Sequence, residues 1–191
     1  MRTRIVLKEK SLPFDRILMD LPNKEQKQDW YLTLNPYGKV PLLVEEGAWV
    51  YESALCDEYL EEKYPTPPLA PADAGAKAQM RLWVEWCNSQ FVPAVIGLIY
   101  ENRKPPAERS QEKIEQNKER LNGLLPRLEA QLQTRDYLLG DYGIADITFT
   151  PFLALCERVG VDLSRFPRTA RWAERLKSRD SYEEVKIGLA A

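Results

Sequence analysis

Apolar and polar positions change their period once along this chain, and the change divides it into two parts. Residues 1–11 set Ile5 and Leu12 among Arg2, Arg4, Lys8 and Lys10, a helical spacing that Leu12-Pro13 ends. Phe14–Met19 (FDRILM) alternates with a period close to two and reads as a strand. Pro22-Asn23 makes a turn, Lys24–Leu32 a short and mostly polar helix, and Asn35-Pro36-Tyr37-Gly38 a loop. Pro41–Val44 and Ala48–Tyr51, joined by Glu45-Glu46-Gly47, predict a hairpin. Ser53–Lys63 predicts a helix with Leu55, Tyr59 and Leu60 on one face.

Tyr64–Asp73 (YPTPPLAPAD) holds four prolines in ten residues, the composition of a semi-rigid linker. Beyond it the period is 3.6 throughout. Helices are predicted over Lys77–Tyr100, bent near Pro93 and Gly97, and over Ala107–Gln133, kinked at Pro126. Ile144–Val159, Arg168–Lys177 and Tyr182–Ile187 complete an all-α part. The expected organisation is an α/β domain over 1–64, a proline-rich linker over 65–73 and an all-helical domain over 74–191.

Composition narrows the chemistry. Hydrophobic residues make up 44% and charged residues 29% of the 191, the balance of an ordinary globular protein. A net charge of −2 leaves no electrostatic footprint for nucleic acid. No stretch approaches the roughly 20 apolar residues of a membrane span. The basic start, Met1-Arg2-Thr3-Arg4, is followed only by Ile5-Val6-Leu7, too short for a signal peptide, so a cytoplasmic protein is expected. Cys56, Cys87 and Cys156 are odd in number and far apart, matching neither a disulfide framework nor a metal site. Histidine is absent, which removes histidine metal sites, Ser-His-Asp triads and Cys-His pairs.

Three local patterns carry candidate chemistry. In Asn35-Pro36-Tyr37-Gly38-Lys39-Val40-Pro41-Leu42-Leu43 a loop enters a strand through proline. A cis bond is expected there if Val40 presents its backbone to a ligand, although a plain Pro-initiated edge strand has the same spacing. Ser53 follows Glu52 at the start of a helix, where a cap, free N–H groups and the helix dipole would receive a carboxylate; a cap without ligand reads the same. Gly143…Asp146 lacks the side-chain half of a capping box, leaving Asp146 to reach back to a backbone N–H. Trp83, Trp86, Cys87 and Tyr100 on the long helix are either core or the wall of an apolar substrate site. The cysteines read as packing residues, and Arg2, Arg4, Lys8 and Lys10 as a solvated helix face.

Taken in order along nearly the whole chain, these pieces resemble the cytosolic glutathione transferase family. Arg4–Lys10 with Leu12-Pro13-Phe14 looks like its first helix running into its second strand. Asn35-Pro36…Lys39-Val40-Pro41-Leu42-Leu43 is similar to its glutathione loop, Glu52-Ser53-Ala54 with Tyr59-Leu60 and Tyr64-Pro65 to its third helix and linker, and Gly143…Asp146 to its helical capping box. The resemblance implies a thioredoxin-like N-terminal domain, truncated at its start, followed by a helical bundle. It also implies glutathione as co-substrate, without a metal, and conjugation of its thiol to small electrophiles in detoxification by a homodimer. Val40 would pair its backbone with the cysteinyl part of glutathione ahead of a cis Pro41, Glu52 and Ser53 would hold the γ-glutamyl end, and Lys39 would approach the glycyl carboxylate. The second substrate would lie near Trp83, Cys87 and Tyr100. The family's thiol-activating Tyr, Ser or Cys has no counterpart in these residues and is expected upstream of Met1. A non-catalytic relative acting as a protein-binding regulator, like stringent starvation protein A, is the alternative.

Overall fold

The computed structural model describes residues 1–186, which form two compact units divided between Leu69 and Ala70. The first opens with α1 (Arg2–Glu9), which buries Ile5, Val6 and Leu7 against α3 (Ser53–Lys63). Each such side chain contributes roughly 1.5–3 kcal/mol. Ser11, at φ 53°, turns the chain out of the helix. The expected solvated face is half wrong: Arg2 and Lys10 are buried. Lys10 Nζ donates to the carbonyls of Tyr64 (2.7 Å) and Pro67 (2.9 Å) and pairs with Glu61 at 2.6 Å. Those three acceptors tie the end of α1 to the end of α3, and together they offset the desolvation of a buried ammonium.

Phe14–Met19 is not a strand. A strand needs a neighbour to take its ladder bonds, and the described residues contain one sheet, the antiparallel pair β1 (Leu42–Glu45) and β2 (Ala48–Tyr51). Ile17 and Leu18 are 80% and 75% exposed, so the alternation that signalled a strand buries nothing. The expected helix over Lys24–Leu32 is two pieces, a 3-10 turn at Glu25–Lys27 and the single-turn α2 (Asp29–Leu32), separated by extended Gln28.

The β1–β2 register pairs Leu42 with Tyr51 and Glu45 with Ala48, so Glu46-Gly47 alone makes the turn, with Gly47 at φ 73°. On α3 the buried face is Cys56, Asp57 and Leu60; Leu55, expected inside, is 56% exposed. A buried aspartate among the core positions conceals that face from a count of apolar residues. Tyr59 is half-buried, its hydroxyl donating to Glu45 at 2.8 Å.

The second unit is helical. Asp73 caps α4 (Ala74–Trp86) by accepting from the Ala76 N–H at 2.8 Å. The long helix expected to bend does so through a π-helical turn, Cys87–Phe91, before α5 (Val92–Arg103). Pro93 has no N–H to return to the Ser89 carbonyl, which instead accepts from Arg120 Nη2 at 3.4 Å. Ser110 caps α6 (Gln111–Gln131), which carries Pro126 in its interior; the expected start of that helix near Ala107 is a separate 3-10 turn, Pro106–Glu108.

Helix α7 (Ile144–Cys156) is nearly all buried, and Phe149 at its centre meets Trp83, Phe91 and Trp172 edge-on or tilted at 5.4–6.4 Å. Asp146 does reach back, accepting from the Gly143 N–H at 3.2 Å, and also from Leu138 N–H (3.0 Å) and Trp172 Nε1 (2.9 Å). Burial pushes its carboxyl up to about 7 while those three donors pull the other way. Then follow α8 (Pro167–Lys177) and α9 (Asp180–Val185); the expected final helical residue, Ile187, lies outside the described residues.

Candidate functional site

The loop from Asn35 to Pro41 is braced from several sides. The Tyr31 hydroxyl donates to the Lys39 carbonyl at 2.6 Å, and the Asn35 carboxamide N–H donates to the same oxygen at 2.7 Å. Asn35 Oδ1 accepts from the Tyr37 N–H at 3.1 Å, and Lys27 Nζ donates to the Tyr37 carbonyl at 2.8 Å. Tyr31 and Asn35 are 2% and 1% exposed, so the donors on the Lys39 carbonyl are shielded from water, while the Lys27 bond lies at the surface. Gly38, at φ 55°, is required: a Cβ there would stand 2.7 Å from the Gln26 carbonyl oxygen and from the Lys27 side chain. Beyond this brace Lys39 and Val40 are exposed and the Val40–Pro41 bond is cis.

The hairpin register carries β1 and β2 to a common end, where Val40-Pro41 enters and Glu52-Ser53 leaves. Ser53 is not the cap that the sequence suggests. Glu52 occupies that position with φ 66° and ψ 118° and gives no side-chain bond to the helix, because Ser53 is already the first helical residue. The first backbone bond of α3 runs from Cys56 N–H to the Glu52 carbonyl, so the preceding helical N–H groups have no partner within the helix. A non-glycine residue at positive φ costs on the order of 1–3 kcal/mol and is tolerated where surrounding structure demands it. The Ser53 hydroxyl accepts from Arg2 Nη1 at 3.2 Å. That leaves its own proton free for an incoming oxygen, beside unpaired helix N–H groups and the positive end of the dipole. Arg2 was invisible as a neighbour in the sequence, standing 51 positions away.

The three residues expected around a second substrate sit differently from one another. Trp83 is nearly buried on α4, edge-on to Trp86 at 5.6 Å, with the Arg127 guanidinium 4.8 Å from both rings. It lines a cleft of about 600 Å³ with Gln79, Arg127, Ala130, Gln131, Arg135 and Leu139. Cys87 begins the π turn with no exposed surface, its Sγ 3.8 Å from the Thr148 carbonyl. Tyr100, on α5, is 63% exposed. All three cysteines are free thiols and buried, as the sequence reading holds. Burial, and then the neighbouring Asp57, push Cys56 up to about 12, and its Sγ lies 3.3 Å from the Val50 carbonyl. Such a thiol is protonated at neutral pH and unsuited to nucleophilic work.

The chain that carries this braced loop and helix start has relatives among known proteins. Residues 1–63 match the glutathione S-transferase N-terminal domain and residues 91–180 the glutathione S-transferase C-terminal domain. The chain is 30% identical over 194 residues to glutathione S-transferase 3 of Zea mays, covering 96% of this chain and 86% of that one. It is 29% identical over 219 residues to protein LigF of Sphingobium sp. (strain NBRC 103272 / SYK-6), covering 94% of this chain and 85% of that one. Glutathione transferase F7 from Populus trichocarpa superposes with a TM-score of 0.90 at 26% identity, over 100% of this chain and 93% of that one. The first unit is accordingly thioredoxin-like and the second the helical domain that follows it. With its loop, its hairpin and both domains accounted for, the chain belongs to the glutathione S-transferase family.

Proposed function

We infer that the protein is a glutathione transferase, binding glutathione and directing its thiol sulfur at small electrophiles. The observation that carries this reading is the shared end of the hairpin, where exposed Val40 and the start of α3 at Ser53 emerge together. A tripeptide laid along Val40 exchanges backbone hydrogen bonds with it as an added strand would. Its γ-glutamyl carboxylate then meets the Ser53 hydroxyl and the free N–H groups of α3, with Glu52 completing that end. The exposed Lys39 ammonium faces the glycyl carboxylate, and Pro41 closes the loop.

In the reaction, the glutathione thiol loses its proton, the sulfur forms a bond to the electrophilic carbon, and a leaving group departs or an activated double bond is saturated. Catalysis consists of lowering a thiol pKa from about 8.5 towards neutrality. We place the electrophile along α4 and α5, near Trp83 and Tyr100, of which Tyr100 is the solvent-open aromatic; Cys87, in the π turn between those helices, has no exposed surface to offer it. The same reading makes the protein a cytoplasmic homodimer acting in detoxification; three free, separated thiols suit a reducing compartment.

Ser53→Ala is the test. It removes one charge-assisted hydrogen bond and should weaken glutathione binding by about 1–3 kcal/mol in a calorimetric titration. An unchanged dissociation constant would move the site away from α3.

A further inference from the structure

The oxygen of Lys39 is the most heavily held carbonyl of the glutathione loop, and neither of the groups holding it is part of the binding set named above. The Tyr31 hydroxyl and the Asn35 carboxamide converge on it at 2.6 and 2.7 Å from two different steps of the preceding chain. Both side chains are buried, and both are anchored: the Asn35 N–H returns to the Tyr31 carbonyl at 2.8 Å, and Asn35 Oδ1 holds the Tyr37 N–H. A loop that needed only to be closed would be served by one such bond. Two buried donors on a single carbonyl fix the direction of that carbonyl as well as its place.

Direction matters because the carbonyl of Lys39 and the N–H of Val40 belong to one peptide group. That group is planar, and in the trans form its C=O and N–H point in opposite directions. Drawing the Lys39 oxygen inward to Tyr31 and Asn35 therefore turns the Val40 N–H outward, on a residue whose side is open to solvent. We propose that Tyr31 and Asn35 are positioning residues for glutathione: by gripping the Lys39 carbonyl they aim the Val40 N–H at the carbonyl of the ligand's cysteinyl residue. The proposal rests on the reading of Val40 as the cysteinyl contact. Neither side chain touches the ligand; the peptide plane transmits their effect. A preorganised donor costs the ligand no reorganisation on binding, which is where the affinity is gained.

The experiment is a glutathione titration of the isotopically labelled full chain, following the Val40 and Ser53 backbone amide resonances. In the wild type both amides shift and saturate together. In Tyr31→Phe, which keeps the ring and removes only the donor, the dissociation constant should rise about five-fold. The Val40 shift at saturation should shrink while the Ser53 shift persists. Asn35→Asp, which keeps the acceptor for the Tyr37 N–H and loses the donor, should behave alike, and it stands in should Tyr31→Phe fail to fold. A folded variant with wild-type affinity and an undiminished Val40 shift overturns the positioning role. Equal losses at both amides overturn it too, because a merely structural defect loosens the whole site. If glutathione moves neither amide in the wild type, the assignment of Val40 and Ser53 to the ligand falls, and this proposal with it.

Discussion

Asp57 holds a carboxyl group with no exposed surface, and neither of its oxygens has a well-formed hydrogen bond. Thr3 lies beside it with a hydroxyl equally without one, and the Arg2 guanidinium and the Met1 amino group act on it through charge. Burial dominates and pushes the acid from 3.8 up to about 7. Because the folded value is the higher one, stability from the neutral acid is fully present below pH 4 and is lost as pH rises through 7. Asp57→Asn removes that loss. The variant's melting temperature should exceed the wild type's at pH 8, by the equivalent of a few kcal/mol at most, and the gap should close towards pH 4. Melting curves that run parallel across that range would show that Asp57 is ionised and satisfied in the folded protein. At this scale the sequence was least informative. It marked Val40, Pro41, Glu52 and Ser53 from local spacing, but the contact of Arg2 with Ser53 and the burial of Asp57 on the inner face of α3 are tertiary facts that no local period encodes.

Among elements, α4 and α6 are capped by the adjoining Asp73 and Ser110, local groups that the expected starts at Lys77 and Ala107 pass over, whereas Asp146 serves its own first turn as expected. Helix α8 is different. Its cap position, Phe166, gives no side-chain bond, and Glu129 of α6 takes over. Glu129 accepts from the N–H groups of Arg168 (3.1 Å) and Thr169 (2.9 Å) and from the Thr169 hydroxyl (3.0 Å). Removing it with Glu129→Ala should cost about 1–2 kcal/mol, as for a lost N-cap, and should speed hydrogen exchange at Arg168 and Thr169. Unchanged stability and exchange would mean that water caps the helix equally well. The one element lost outright, the strand over Phe14–Met19, failed for a related reason. A period-two pattern states which faces a strand would offer and says nothing of whether a partner strand is present to pair with it. The π turn at Cys87–Phe91 was legible only as a bend, since Pro93 announces a missing bond without naming its substitute, Arg120.

For the molecule as a whole, the switch of period at the proline-rich segment was enough to separate an α/β part from an all-helical one. That division depends on burial averaged over many residues, so single errors such as exposed Leu55 leave it intact. The proposed glutathione site lies within the first unit, where a braced loop and a helix start meet at one end of a hairpin. No helix among the described residues is long and apolar enough to cross a membrane. Binding of glutathione at that hairpin end is open to calorimetric titration of the 191-residue chain with glutathione. The titration should show saturable binding of one glutathione per chain, weakened by Ser53→Ala. Absence of heat at millimolar glutathione, together with no retention on a glutathione resin, would contradict it and favour a protein-binding regulator on the same fold.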